Sequence, residues 1–333
     1  MWETVTAEHR GRGLRATSLR SRWSKIRGSF EFGLFFGTFE SRGLVSSRLL
    51  QARSCRDSVV VLFDDAKDEP LRRTHDGLLF SQVVRCTEND PKALKGLSVA
   101  GIEQILDAIM GYAPQTSLRP GARWFIDITG APKPYFLGLL GRLRQRVSAP
   151  TLSLFYCTGY YEKGGQADDP YSFTSGPDRY IWVPWLWGRP DPALPWTYIF
   201  LLGFEGQRSR DVFERFEPRY VKAVIGKPGY RPCYDRIAEE ANAAFLKEAR
   251  PLRIYTNPGD AVETWKRLES VVSRSLRRSN VCFVPLGSKP HALGAGLAAL
   301  AEGSPAVLYL MPRAFTVRDI PRGNYVWIYE ISM

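Results

Sequence analysis

Residues that bind metals or form disulfides are scarce in this sequence of 333 residues. It contains three histidines and five cysteines, and the cysteines are widely spaced, with no Cys-x-x-Cys pair. This pattern argues against a zinc site, a disulfide framework and a histidine-based catalytic triad. No segment approaches the roughly 18 successive apolar residues that a membrane-spanning helix requires. We therefore predict a cytoplasmic protein that binds no metal, no cofactor and no membrane.

Two common nucleotide-binding motifs are also missing from the sequence. It has neither the G-x-x-x-x-G-K-[ST] pattern of a P-loop nor the G-x-G-x-x-G pattern of a dinucleotide-binding turn. Both motifs bring backbone N–H groups close to phosphates, and both are tied to particular enzymes. Their absence disfavours ATP hydrolysis and NAD-dependent chemistry.

Basic residues outnumber acidic ones, with 46 Lys and Arg against 34 Asp and Glu and a formal net charge of +12. Seven of the basic residues and only two acids lie within the first 28 residues. We interpret residues 1–28 as a basic tail, either a disordered extension or an arm that contacts nucleic acid. The whole chain is 44% hydrophobic, which is enough to form one large or two ordinary globular cores.

Segments rich in β-branched and aromatic residues alternate with segments of helical period, which predicts strand–helix–strand units on largely parallel sheets. Strands are predicted at 32–36, 59–63, 82–86, 124–128, 151–157, 198–202, 220–225, 252–255, 281–284 and 306–310. Helices are predicted near 40–51, 90–112, 133–146, 207–216, 234–247, 260–277 and 291–301. The same order of elements therefore occurs twice along the chain.

Four short landmarks recur in the two halves in the same order. Segments 37–42, 86–90, 128–140 and 152–156 match segments 203–208, 255–260, 285–297 and 306–310. We therefore predict an α/β fold of two tandem Rossmann-like, doubly wound parallel sheets related by internal duplication. The predicted boundaries are 29–161 for the first half, 162–196 for a Gly-, Pro- and Trp-rich linker, and 197–333 for the second half.

Polar residues follow the predicted strands, at the sheet edge where ligands bind in open parallel sheets. The candidate ligand-binding residues are Thr38, Glu40, Arg42, Thr129, Gly130 and Lys133 in the first half and Glu205, Arg208, Ser209, Gly287, Ser288 and Lys289 in the second. Thr87 and Asn89, and Thr256 and Asn257, are predicted to follow the third strand of each half. No residue is assigned a catalytic role.

A glycine after a strand, followed by Lys-Pro at the start of a helix, occurs in both halves, at Gly130 and Gly287. The glycine allows close approach of a ligand, and the helix directs its positive end to the same place as the lysine. This combination indicates an anion site. The alternative is that the glycines serve only the turn and that the lysines are solvated. Arg42 and Arg208 have their own alternative, an ordinary ion pair with Glu40 and Glu205.

The run Ile126-Asp127-Ile128-Thr129-Gly130-Ala131-Pro132-Lys133 resembles the fourth-strand motif of CARF domains, the Rossmann-fold sensor domains of CRISPR-associated proteins. In that family the motif is typically Asp-x-Thr-Gly-Gly-Thr-Lys. CARF domains bind cyclic oligoadenylates across two Rossmann units, and the related SAVED domains join two such units in one chain. The resemblance implies that Thr129, Gly130 and Lys133, with Ser288 and Lys289, contact such a ligand.

Three functions are compatible with these features. The first is a nucleotide second-messenger sensor in antiviral defence, with one phosphate-binding site between two pseudo-symmetric halves and a separate effector protein as partner. The second is a phosphodiesterase-like enzyme that opens a cyclic oligonucleotide at the same site, with the two lysines stabilising negative charge and Glu40 or Glu205 moving a proton. The third is a basic protein that binds nucleic acid through the tail and Arg274, Arg277 and Arg278.

Overall fold

A computed structural model describes residues 1–11, 13–65, 68–97, 101–146, 149–161, 171 and 173–333. Its strands are β1 (Glu3–Gly11), β2 (Leu14–Ser21), β3 (Phe30–Phe36), β4 (Cys55–Phe63), β5 (Lys92–Leu97), β6 (Arg123–Asp127), β7 (Thr151–Gly159), β8 (Thr174–Trp182), β9 (Trp196–Leu201), β10 (Tyr220–Gly226), β11 (Leu252–Thr256), β12 (Asn280–Pro285), β13 (Ala306–Phe315) and β14 (Arg322–Ser332). Its α-helices are α1 (Val45–Leu49), α2 (Pro70–Cys86), α3 (Ile102–Tyr112), α4 (Lys133–Arg144), α5 (Gly206–Phe216), α6 (Tyr234–Ala241), α7 (Ala243–Ala249), α8 (Ala261–Ser275) and α9 (Lys289–Glu302). The chain divides into two compact units, unit 1 (Met1–Tyr161 with Val317–Met333) and unit 2 (Glu162–Thr316).

Unit 1 is built on an eight-stranded sheet in the order β1-β2-β14-β7-β6-β3-β4-β5. The five strands from β7 to β5 are parallel, and β14, β2 and β1 extend the sheet with antiparallel pairings. Its core is rich in aromatic side chains, and Phe35, Phe125 and Phe155 from three neighbouring strands pack in a row with ring centroids 5.8 and 6.1 Å apart. Because these rings are fully buried, the sequences of the strands are nearly continuous runs of apolar residues.

Unit 2 is built on a six-stranded sheet in the order β11-β10-β9-β12-β13-β8. All pairings from β11 to β13 are parallel, and β8 is an antiparallel edge strand. Numbered along the chain, the five parallel strands of each unit have the same order, 3-2-1-4-5. This is the order of half a Rossmann fold (3-2-1) extended by two further strands (4-5). The predicted fold class of two Rossmann-like parallel sheets is therefore confirmed.

The third strand and the second helix of unit 1 differ from the prediction. Residues 82–86 belong to α2, a 17-residue helix whose buried residues Arg72, His75, Leu79, Val83 and Cys86 are three or four positions apart. The third parallel strand is β5, and helix α3 begins only at Ile102, so the predicted helix over 90–112 is wrong in its first half. Residues 98–100 of that prediction lie outside the described residues. The run Gln82-Val83-Val84 has the composition of a strand. It forms part of a helix because burial of one helical face outweighs this local preference.

The ends of the chain also differ from the predicted boundaries. Strands β1 and β2 pair in antiparallel fashion, and β2 also pairs with β14, which inserts between β2 and β7. Leu14, Ala16 and Ser18 are buried and alternate with more exposed residues, so β2 has the period of a half-buried strand despite its basic composition. The segment predicted as a linker contributes β8 to the sheet of unit 2, and its residues 162–170 and 172 lie outside the described residues.

Glu330 of β14 lies opposite Ser153 of β7, and both of its carboxylate oxygens accept the Ser153 hydroxyl at 2.9 Å. Burial raises the pKa of Glu330, partly offset by that hydrogen bond. A raised folded-state pKa means that stability falls as pH rises from the unfolded pKa, about 4.3, through the folded pKa. We expect Glu330→Gln to raise the free energy of unfolding at pH 7 and to leave it unchanged near pH 3. Urea denaturation at both pH values checks this, and an equal effect at both would contradict it.

Candidate functional site

The strand order places a switch point between β3 and β6 in unit 1, where the chain leaves two adjacent parallel strands in opposite directions along the sheet. The loops after these strands contact each other. A Cβ atom added to Gly130 would lie 2.6 Å from the carbonyl oxygen of Phe36 and 3.2 Å from the side chain of Thr38. Thr38 and Gly130, which the sequence predicts as site residues, are therefore brought together at the carboxyl edge of this sheet.

Gly130→Ala is expected to lower the free energy of unfolding by about 1–3 kcal/mol, since the new methyl group must displace backbone. Gly111 of α3 is the matched control within unit 1, because a Cβ atom there has nothing within 4 Å. Gly111→Ala is expected to be neutral or stabilising by up to about 1 kcal/mol, as for any exposed helical glycine. Chemical denaturation of the two variants gives the comparison, and equal stability changes would refute the close packing of the two loops.

Unit 2 has the same arrangement at its own switch point between β9 and β12. A Cβ atom on Gly203 would lie 2.7 Å from the carbonyl oxygen of Leu286, and one on Gly287 would lie 2.5 Å from that of Leu202. The N–H group of Gly287 also donates to the carbonyl oxygen of Leu201 at 2.6 Å. Gly287 is thus fixed against the neighbouring strand, as Gly130 is in unit 1.

Both lysines of the predicted anion motif begin a helix at the switch point. Lys133 is the first residue of the 12-residue α4, and Lys289 is the first residue of the 14-residue α9; both are half-buried. In unit 2, Ser288 caps the helix by accepting from the N–H of His291 at 3.2 Å, while its own hydroxyl donates to the carbonyl oxygen of Pro258 at 2.7 Å. The helix N-terminus adds about half a positive charge beside each lysine.

Arg42 is buried in unit 1 and already bound by several groups. Its Nε donates to Glu40 at 2.6 Å, and its Nη1 donates to the Tyr156 hydroxyl at 3.2 Å and to the Cys157 carbonyl oxygen at 3.1 Å. The guanidinium also lies over the rings of Tyr156 and Tyr161. Burial alone lowers the pKa of Arg42, but the charge of Glu40, the rings of Tyr161 and Tyr156 and the hydrogen bond to Glu40 together more than offset it, so the pKa lies above its ordinary value. The Arg42 guanidinium therefore stays charged.

Arg208 makes the equivalent contacts in unit 2. It donates to Glu205 at 3.1 Å and to the carbonyl oxygen of Leu310, and its guanidinium lies over the ring of Tyr309. Glu205 also accepts from the N–H of Phe173 at 3.0 Å and the hydroxyl of Thr174 at 2.6 Å. In each unit, then, a Glu–Arg pair ties the segment after the first parallel strand to a carbonyl group of the fifth strand.

Two predicted hydroxyl residues are fully buried and hydrogen-bonded within their unit. Thr129 accepts from the N–H of Cys157 at 3.0 Å, and its own N–H donates to Asp127 at 2.8 Å. Ser209 donates to Asn242 at 2.7 Å, and Asn242 in turn donates to the carbonyl oxygen of Gly203 at 2.8 Å. These buried hydrogen bonds stabilise the conformation of the switch-point loops.

Thr87 and Asn89 do not lie at the predicted edge. They precede β5, because the landmark 86–90 falls at the end of α2 and not at the end of a strand. Asn89 instead donates to Asp57 at 2.7 Å, near the start of β4. In unit 2, Thr256 is the last residue of the third strand, β11, and Asn257 follows it.

Three residues that support the loops were not among the sequence candidates. Asp127 accepts the Ser46 hydroxyl and the Thr129 N–H, Asn242 links Ser209 to Gly203, and Asp319 accepts the N–H of Ser41 at 2.6 Å. Asp127 lies within the Asp-x-Thr-Gly run, so the sequence motif could have identified it as a supporting residue. Asp319 is distant in sequence from the loop that it supports, and no local pattern marks it.

Within the described ranges, no group of three His, Cys, Asp or Glu side chains is arranged to hold a metal ion. Among the helices that the structure describes, none is both long enough and apolar enough to cross a membrane.

No known protein family matches this chain, and neither does any curated protein. The solved structures that resemble it include that of a type III CRISPR defence DNA nuclease activated by cyclic oligoadenylate. The two chains are 12% identical and superpose with a TM-score of 0.49. The similarity covers 84% of this chain but only 65% of the other, so this chain spans about two thirds of that nuclease chain.

Proposed function

We propose that this protein is a sensor for a phosphate-bearing nucleotide second messenger, bound at the switch-point loops of its two units. One observation carries the proposal: both units place a closely packed glycine, a half-buried lysine and a helix N-terminus at the same point of the same strand order. Retention of this combination in two copies favours a ligand over simple turn chemistry.

The chemistry of the loops fits a phosphate group. The positive ends of the α4 and α9 dipoles attract an anion. This attraction is mainly electrostatic, because Pro134 and Pro290 have no N–H group and the N–H groups of Tyr135 and His291 already donate to Pro132 and Ser288. Lys133 and Lys289 add a full charge each, and a charge-assisted hydrogen bond contributes about 1.5–3 kcal/mol. Gly130 and Gly287 let the two loops of each unit pack closely, because a Cβ atom at either position would meet a carbonyl oxygen of the neighbouring chain segment.

In this proposal Arg42 and Arg208 are positioning residues that do not compete for the ligand. Their guanidinium groups donate to Glu40 and Glu205 and to strand carbonyl groups, and these contacts fix the loops after β3 and β9. Thr38 packs against Gly130 and accepts the N–H of Glu40 at 3.1 Å.

Cyclic oligoadenylates are the ligands to test first, because the run from Asp127 to Lys133 resembles the CARF motif. Isothermal titration of the full chain with cyclic tri-, tetra- and hexaadenylate, and with ATP as a linear control, is expected to give heat with one of the cyclic ligands. The stoichiometry, one ligand per chain or one per unit, shows whether both loops hold the same molecule. Absence of binding to every cyclic ligand would reject the proposal.

The enzymatic alternative has a separate readout. Incubation of the bound ligand with the protein, followed by chromatography, is expected to return the cyclic ligand intact. Conversion to a linear product would assign the loops to a phosphodiesterase and not to a sensor.

A further inference from the structure

A cluster of cations lies at the amino edge of the sheet of unit 2, opposite the edge that carries Lys289. It consists of Arg219 and Lys222 at the start of β10 and Arg274, Arg277 and Arg278 at the end of α8. We call these five residues the amino-edge patch. The four arginines are exposed, and Lys222 is half-buried and donates to the hydroxyl of Ser275 at 3.0 Å.

The positive charge of this patch is not neutralised within the described part of the chain. There, no carboxylate oxygen lies within 4.0 Å of a side-chain nitrogen of the five cations. This includes Glu217, which is only two positions from Arg219 and ends α5 in a left-handed conformation. The C-terminus of α8 contributes about half a negative charge, which offsets only a tenth of five positive charges.

The cations of the amino-edge patch lie close to one another. The guanidinium groups of Arg278 and Arg219 lie 5.2 and 5.8 Å from the centroid of the same ring, that of Tyr220. Burial and the neighbouring charges of Arg274 and Arg278 together lower the pKa of Lys222. Like charges held this close repel, and a polyanion relieves that repulsion.

We propose that the amino-edge patch binds the phosphodiester backbone of a nucleic acid. Several closely spaced cations without acidic partners are what a regular row of phosphates requires. The ring of Tyr220 already has two guanidinium groups over it, so it holds the arginines and does not stack on a base. Binding is therefore expected to depend on charge and not on base sequence.

The test compares two triple variants of the full chain that lose the same charge. The patch variant is Arg274→Gln/Arg277→Gln/Arg278→Gln. The control variant is Arg179→Gln/Arg210→Gln/Arg236→Gln, which removes three arginines of the same unit that pair with Asp178, Glu214 and Glu240; Arg179 and Arg236 are exposed and Arg210 is half-buried. Fluorescence anisotropy with a labelled 20-base-pair DNA duplex of mixed sequence gives the affinity over a range of salt concentrations, without any nucleotide ligand present.

The patch variant is expected to bind at least ten-fold more weakly at low salt, and its log–log salt slope is expected to be smaller by about 2–3, from about 0.9 per lost phosphate contact. The control variant is expected to keep the slope of the native chain. Equal losses in the two variants, no loss in either, or equally strong competition by a glutamate-rich peptide would overturn the proposal. Lys133→Ala/Lys289→Ala is expected to bind the duplex normally, so this test is separate from that of the nucleotide site.

Discussion

Replacing Arg42 by methionine is expected to lower the free energy of unfolding by about 3–5 kcal/mol, as for other buried ion pairs that lose one partner. The substitution leaves the Glu40 carboxylate in a site where only 18% of its side chain is exposed. It also removes the donors that satisfy the Tyr156 hydroxyl and the Cys157 carbonyl group. Urea denaturation followed by circular dichroism measures the loss.

The double variant Glu40→Gln/Arg42→Met is the control, because it removes both charges. Its cost is expected to be clearly smaller than that of Arg42→Met, since no uncompensated charge remains buried. Arg208→Met is expected to reproduce the large loss, because Arg208 has equivalent contacts in unit 2. A cost below about 1 kcal/mol for Arg42→Met would show instead that the pair behaves as an exposed surface pair.

Lys133→Ala and Lys289→Ala are each expected to weaken binding of the nucleotide ligand by about 10- to 150-fold, which corresponds to the loss of one charge-assisted contact. Both lysines lie at helix starts where the backbone geometry is set by proline and capping residues, so the fold is expected to remain intact. Isothermal titration of each single variant and of the double variant measures the effect.

Lys247→Ala/Lys266→Ala serves as the control for the lysine pair. Both residues are exposed on helices of unit 2, away from the switch-point loops in sequence, and the change in net charge equals that of the Lys133/Lys289 double variant. The control is expected to bind the ligand with native affinity. If it loses as much affinity as the site variant, overall charge explains the binding and the loops do not.

Much of the fold could be predicted because burial leaves a direct signature in the sequence. The strands that face helices on both sides, such as β3, β6, β9 and β12, appear as short apolar runs followed by polar loops. The repeat of Gly and Lys-Pro at Gly130 and Gly287 then locates the switch point of each unit, because strand order determines where adjacent loops diverge.

The elements that escaped prediction depend on long-range pairing. The strand pair of β1 and β2 is basic, and its second strand is held by β14 from the other end of the chain. The segment Lys92–Leu97 contains two lysines and a glycine, yet it forms β5 because its backbone pairs with β4. Local propensity carries no information about such partners.

The site residues show the same division between local and distant information. The sequence placed Glu40 and Arg42 at the correct edge, but only the structure shows that Arg42 is bound to Cys157, 115 positions away. A charged residue after a strand looks the same in sequence whether it faces a ligand or closes a buried ion pair. The distinction rests on burial, which is a property of the folded chain.

Hydrogen–deuterium exchange with and without the bound cyclic oligoadenylate tests the central claim most directly. The account predicts slower exchange at the starts of α4 and α9, in peptides that contain Lys133 to Phe136 and Lys289 to Ala292, because a bound ligand covers these helix starts and opposes their local opening. Peptides from the end of α8 are predicted to be unchanged. Ligand binding with no protection at either helix start would contradict the proposal that the switch-point loops hold the nucleotide.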